Sequence, residues 1–537
     1  MKNVAGYYSA NFGELRPDHF HSGVDIKSDG AIGKPIVAVM DGYISRISLS
    51  PVGFGLALYI AHPNGTTSVY AHLDRLREDL AEYLEQQRYA QQLSAITLHL
   101  GADKFPVSQG DLVAYSGNSG SSFGPHLHYE LRETKQQKPL NLITLGVLPE
   151  RDNTPPTISN LYYVEIDSLL GVAFRAPVKK FSLVEHGRGE YRISGGSKAW
   201  IGRKGYFVVQ VIDRKENTTN RYGIFRITLK MDGKPIYGYR MDGFTFDLSR
   251  YSNAVSDYAL QQKIGGEVFR LALLNDDSRS LYDVMVDRGL VRAEAGEEHE
   301  FELEIEDDSG NISRLNFTAR GMGDGDLFRA EADTKQPVAR PAKAFEYVAD
   351  GLKVKIPKGA LYESVPFSIS ATDTKIKPKS GVEILSRSYA VMDRSLPLQK
   401  GIDLTIFITP DEALRRHVVL AEIDAKGEIV YLGGGYNSGA ATAQTRRFGE
   451  FVAVADTEPA VVRITAINRS AVSFTIKDNL SVITSYEASI NGEWVAVDLD
   501  KELYTIRYPS SMATGERLLK IVARDGAGNE TIFEKKL

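Results

Sequence analysis

The chain has 537 residues, of which 42% are hydrophobic and 25% charged, with a formal net charge of −5. That length exceeds a single core and implies about three to four domains at roughly 100–200 residues each. The small net charge argues against a nucleic-acid footprint, no apolar run approaches the roughly 20 residues that span a bilayer, and the absence of cysteine excludes disulfides, thiol catalysis and cysteine-type zinc sites.

Residues 1–150 read as a compact β domain. Ile36-Val-Ala-Val-Met, Tyr43-Ile-Ser-Arg-Ile-Ser-Leu and Leu56-Ala-Leu-Tyr-Ile-Ala are short runs bounded by Gly, Pro or Asp, the pattern of strands. Pro63-Asn64-Gly65-Thr66 predicts a hairpin with positive φ at both turn positions. From Asp74 to about Leu93 the spacing of Leu76, Leu80, Tyr83 and Leu84 predicts an amphipathic helix, inside an insertion spanning about 74–105.

Beyond residue 150 the chain carries a diverged repeat. Asp152-Asn-Thr-Pro155 and Asp456-Thr-Glu-Pro459 each open a segment, and Asp307-Asp-Ser-Gly-Asn311 and Asp525-Gly-Ala-Gly-Asn529 close them. Short strands at this spacing, with Gly and Asn turns between them, predict antiparallel sandwiches. Residues 151–320 and 456–537 are thus read as related immunoglobulin-like sandwiches, 321–345 as a linker, and 346–455 as a further β-sandwich. In that last unit the stretch from Val354 to Ser364 resembles ZU5-like sandwiches. The expected fold is mainly β, with about three sandwiches following an N-terminal domain.

Seven of the ten histidines lie in the first 130 residues: His19, His21, His62, His72, His99, His126 and His128. In His21-Ser-Gly-Val-Asp25 two metal-ligand types stand four apart in a strand or loop. His126-x-His128 puts two imidazoles on one face of a strand. One of that pair can bind a metal while the other handles a proton. Zinc takes nitrogen and oxygen ligands in a tetrahedron and keeps one corner open when catalytic. His72, in Tyr70-Ala-His72-Leu73, can supply a second free imidazole. His62 is read as turn chemistry, His19 and His99 as surface residues, and His186, His299 and His417 receive no role.

These residues carry a resemblance. His21-x-Gly23-x-Asp25, Tyr70-Ala-His72-Leu73, Gly110-Asp-Leu-Val-Ala, Ser116-Gly-Asn-Ser-Gly120 and Gly124-Pro-His126-Leu-His128-Tyr-Glu130 stand in the order and phrasing of LytM/lysostaphin-type (M23) zinc peptidases. Asn11-Phe-Gly-Glu-Leu-Arg16 resembles that domain's opening strand, and the likeness covers about residues 10–145. The resemblance implies an M23-type antiparallel β-sheet peptidase domain in which His21, Asp25 and His128 bind Zn2+ and His72 and His126 flank the attacking water. It implies hydrolysis of peptide bonds in the stem or cross-bridge of bacterial peptidoglycan, in the cell envelope, whether periplasmic or secreted. Because Met1-Lys-Asn-Val-Ala-Gly-Tyr-Tyr has no apolar signal region, that location assumes a signal sequence already removed.

Two departures stand out. The 74–105 insertion separates motifs that the family joins by a short segment, and no counterpart is placed for a tyrosine that some members carry beside the oxyanion. The insertion is read as a wall of the substrate groove, with a stabilising cover or a displaceable block as the other readings. The sandwiches are read as spacers, with cell-wall or envelope-protein binding as the alternative. The competing functions are a non-catalytic envelope protein that regulates other wall hydrolases and a metallopeptidase that acts on proteins. The filled ligand set favours catalysis over the first, and the resemblance alone favours the wall over the second.

Overall fold

The computed structural model describes residues 1, 7–148, 152–169, 171–216, 218–331, 335–508 and 515–537. The chain is mainly β throughout. In the N-terminal unit the strands are β1 (Tyr8–Ala10), β2 (Val24–Lys27), β3 (Pro35–Val37), β4 (Gly42–Leu49), β5 (Leu56–Ala61) and β6 (Thr66–Leu76). Helix α1 (Glu78–Gln91) follows, then β7 (Ile96–His99), β8 (Pro106–Val107), β9 (Leu112–Ser116) and β10 (His126–Glu133). The main path of the sheet runs β1-β2-β10-β6-β5-β4-β7, with β9 joining β6 to β3. Every pairing named in it is antiparallel.

The β5–β6 connection is the predicted hairpin with a different turn. Only Gly65 takes a positive φ, of 82°, while the Asn64 side chain accepts the Thr66 amide at 3.1 Å and the His62 amide donates to the Thr66 carbonyl at 2.8 Å. A three-residue loop closed by a left-handed glycine satisfies the strand twist with one positive-φ residue.

Helix α1 begins later than the spacing predicts, because β6 runs on to Leu76 and pairs there with Ala114. Leu80 and Leu84 are buried, as the periodicity requires. Glu78 and Asp79 sit on the positive end of the helix, and Gln92 closes it in the left-handed conformation.

Three β-sandwich units follow. A thirteen-stranded sheet between residues 157 and 321 surrounds a core containing Leu161, Tyr163, Phe207, Phe301 and Phe317. That core also takes in Phe12, Leu15 and Phe20 from the N-terminal unit, with Phe12 and Phe20 packed at a tilt against Phe244 at ring separations of 5.6 and 5.3 Å. The segment that carries His21 is therefore anchored in the neighbouring sandwich.

The stretch read as a linker is tied down at both ends. The Phe328 and Ala330 amides donate to Glu165 and Asp167, and Val338–Ala339 pairs with Val365–Pro366 of the next unit. The third unit has sheets of five and six strands around Val354, Phe367 and Phe451. The last has two four-stranded sheets around Phe474, Ile490 and Ile521.

The insertion does not line the cleft that holds His21, Asp25, His72, His126 and His128. Arg88 on α1 is buried and pairs with Asp498 at 2.8 Å, the Val497 amide donates to Ser94 Oγ at 3.0 Å, and Tyr89 meets Trp494 edge-on. The helix thus docks onto the C-terminal sandwich. The groove-wall expectation is corrected accordingly: these polar and aromatic contacts direct the insertion to residues 494–498 instead.

Candidate metal centre

Strands β2 and β10 lie side by side with Asp25 opposite His128, and the loop before β2 brings in His21. Gly23 makes this approach feasible: a Cβ there would sit 2.5 Å from the Tyr129 carbonyl and 3.0 Å from the His128 ring. His21 Nε2 stands 3.1 Å from Asp25 Oδ1 and 3.1 Å from His128 Nδ1, and His128 Nδ1 stands 2.9 Å from Asp25 Oδ1. Three donors bound tetrahedrally to one zinc ion at about 2.0–2.1 Å would lie about 3.3–3.4 Å apart. The triangle has the dimensions for a single ion.

The outer ring nitrogens fix the inner ones. His21 Nδ1–H donates to the Asn11 carbonyl at 2.6 Å, which leaves Nε2 as a lone pair. His128 Nε2–H donates to Glu130 Oε1 at 2.9 Å, which turns Nδ1 toward Asp25 and His21. Two imidazole nitrogens and a carboxylate oxygen therefore converge on one point, a donor set that could hold a metal cation. The local electrostatics agree. Burial works against a charged His128, yet Asp25 and Glu130 push its pKa up to about 9. Burial likewise opposes the Asp25 carboxylate, but His21, His126 and His128 hold it well below the usual range.

His126, His128, Glu130 and Arg132 alternate along one face of β10. Glu130 is fully buried, accepts from Ser22 Oγ at 2.6 Å and is paired with Arg132. Burial disfavours its charge, but His128 and Arg132 bring its pKa down to about 2. Glu130 stood inside the motif with no role assigned; its i+2 spacing from His128 was the available signal. Such a carboxylate behind a ligand histidine sets ring orientation and basicity.

His72 and His126 stand beside the triangle, their ring centroids 4.8 Å apart. Nδ1–H of His72 donates to the Ser119 carbonyl at 2.8 Å, and that of His126 to the Gly124 carbonyl at 2.8 Å. The His126 Nε2 lies 3.5 Å from Asp25 Oδ1. Burial and the neighbouring His128 and His126 push the His72 imidazole down to about 4, so it is neutral. His72 does not follow the extended strand that its surroundings predict. It takes a φ of 58° at a shift of register between β5 and β6, and this bulge re-aims the ring.

The site opens into a cleft of about 1070 Å³ that all five residues line. Phe54, Phe123 and Arg16 contribute to it, as do Phe246 and Ser249 from the adjoining sandwich. No residue of 74–105 lines it. Among the other histidines, His19 is exposed at the rim beside Asp18. His62 is buried and bonded to the Asp41 carbonyl and Ser68, a structural role. His21, Asp25 and His128 come together, then, with His72 and His126 next to them.

Residues 19–88 match the model for peptidase family M23, and residues 337–456 match the Zu5-like domain. An uncharacterized metalloprotease of Haemophilus influenzae is 29% identical over 118 residues, 22% of this chain and 19% of its own length. The DD-carboxypeptidase/endopeptidase Mpg of Neisseria meningitidis serogroup B is 31% identical over 127 residues, 24% of this chain and 23% of its own. The chain thus spans about a fifth of the length of these curated relatives. The catalytic domain of the antimicrobial peptidase lysostaphin from Staphylococcus simulans is 20% identical with a TM-score of 0.20, covering 26% of this chain and 90% of that one.

Proposed function

We propose that this chain, whose N-terminal unit is an M23 peptidase domain, is a zinc-dependent endopeptidase that cuts peptide bonds in the stem or cross-bridge of bacterial peptidoglycan. The observation that carries the reading is the convergence of His21 Nε2, Asp25 Oδ1 and His128 Nδ1 on one point, beside two further imidazoles in an open cleft. His21, Asp25 and His128 would hold the zinc. When bound, it supplies a Lewis acid that polarises a carbonyl and acidifies water toward a pKa of about 7.

The chain's own residues do the remaining work. Asn11 and Glu130 fix the tautomers of the two ligand histidines. His72 and His126, each with Nδ1–H committed to a backbone carbonyl, keep Nε2 available to orient the attacking water, take its proton and return it to the departing amine. Phe54, Phe123 and Phe246 give the cleft apolar walls for a peptide. The same reading places the protein in the cell envelope, where its substrate lies. The Mpg relative, described as a DD-carboxypeptidase/endopeptidase, supports the substrate class.

The test is digestion of purified peptidoglycan by the full chain, with mass analysis of the fragments. New amino termini within stem or bridge peptides, lost on chelation and in His126→Ala, are the expected result. Cleavage of glycosidic bonds alone, or release that persists after chelation, would overturn the proposal.

A further inference from the structure

A second group of ligand-type residues lies outside the peptidase unit. Asp152, Asp213 and Asp307 are buried in the first sandwich at 7%, 0% and 0% exposure, and each offers a carboxylate oxygen within 4.8 Å of the others. Asp152 opens the segment. Asp213 follows the strand Lys204–Ile212, which pairs with Thr157–Leu169, and Asp307 heads the closing Asp-x-x-x-Asn turn. Three chain segments far apart in sequence thus deliver carboxylates to one place.

Burying three acids together is unfavourable unless something balances them. Asp307 is satisfied by the turn: its oxygens accept the Ser309 and Asn311 amides at 2.9 Å and Asn311 Nδ2 at 2.8 Å. Asp213 is not, because neither of its carboxylate oxygens has a hydrogen-bond partner among the described residues, and Asp152 Oδ2 has none either. The neighbouring cation Lys215 lies 2.8 Å from Asp308, a fourth acid. A wholly buried carboxylate with both oxygens open, pointing at two other carboxylates, is the mark of a cation-binding frame.

The repeat supplies an internal comparison. Asp456, Asp478 and Asp525 occupy the same places in the C-terminal sandwich, and Asn529 Nδ2 bridges Asp456 and Asp525 as Asn311 bridges Asp152 and Asp307. There, however, Ser481 Oγ donates to Asp456, and the Leu480 and Ser481 amides donate to Asp478. Among the described residues, only Asp478 Oδ2 of these three acids is left without a partner in that copy, against three such oxygens in the first. Among the described residues, one copy is satisfied by the chain's own donors and the other is left open.

We infer that Asp152, Asp213 and Asp307 form a binding site for a divalent calcium-class cation, separate from the zinc centre. The donors are hard carboxylate oxygens with no nitrogen or sulfur, which suits calcium over transition metals. Three convergent carboxylates also exceed the one or two by which magnesium is usually held. Asp308, next in sequence, accepts from Asn11 Nδ2 at 2.9 Å, so the site stands one residue from the contact that anchors the His21 segment.

The test is isothermal titration of the chelator-treated full chain with calcium chloride, alongside thermal melts with and without the ion. Wild type should take up calcium and melt higher in its presence. Asp213→Asn should bind one equivalent fewer and show a smaller calcium-dependent rise, while melting no lower than wild type without calcium. Asp152→Asn, which keeps the Thr154 amide contact of its Oδ1, should lose the same equivalent. Magnesium should bind at least tenfold more weakly. No calcium uptake by wild type, unchanged uptake in both variants, or equal affinity for magnesium would overturn the inference.

Discussion

Asn11 and His21 are joined at the entrance to the metal centre: the Asn11 carbonyl accepts His21 Nδ1–H at 2.6 Å. The Asn11 side chain meanwhile reaches into the next unit, donating to the Gly223 carbonyl and Asp308 and accepting the Gly223 amide. One buried residue therefore orients a candidate metal ligand and locks the peptidase unit to the sandwich. Asn11→Ala keeps the carbonyl but removes these three side-chain bonds, at a cost of about 2–5 kcal/mol. Urea unfolding should register that loss, and chelator competition should register weaker zinc retention. Unchanged zinc affinity would mean that the sandwich does not support His21.

Glu130→Gln removes the charge behind His128 while keeping an acceptor for Nε2–H. Outer-shell carboxylates of this kind contribute about 10–100-fold to metal affinity, and zinc dissociation measured by chelator competition should shift by that order. Because Arg132 also loses its buried partner, the variant should melt lower as well.

His72→Ala should leave the zinc content near that of the wild type and lower turnover by about 100–10,000-fold, the range for a positioned acid–base group. Loss of metal along with activity would instead make His72 a ligand.

Phe246→Ala tests whether the sandwich helps to build the cleft. Phe246 is 44% exposed, lines the cleft and lies 4.7 Å from the Arg132 guanidinium. Losing about 1–2 kcal/mol of apolar contact should raise KM by about 5–30-fold, with metal content and kcat little changed. A spacer-only sandwich would leave KM unaffected.

The five side chains of the site were legible in the sequence because each sits in a short motif whose residue types and spacing are themselves chemical constraints. The α1 helix was legible from Leu80 and Leu84, and the shared Asp–Asn turns from the repeat. What stayed hidden was long-range or conformational. The contact from Asn11 to Asp308 and the entry of Phe246 into the cleft join residues far apart in sequence, and no local pattern encodes such pairings. The left-handed φ of His72 arises from a register shift between two strands, not from its own side chain. The insertion's destination was misjudged for a related reason: amphipathic spacing says which face of α1 is apolar, not that Arg88 will find Asp498.

The division of roles among the five side chains is decided most directly by the zinc content of the purified full chain, measured together with peptide release from peptidoglycan. Wild type should carry about one equivalent of zinc and release new amino termini. His126→Ala should keep the zinc and lose the release, and Asp25→Ala should lose both while its sandwiches stay folded. Full zinc occupancy in Asp25→Ala, or undiminished release by His126→Ala, would contradict the assignment.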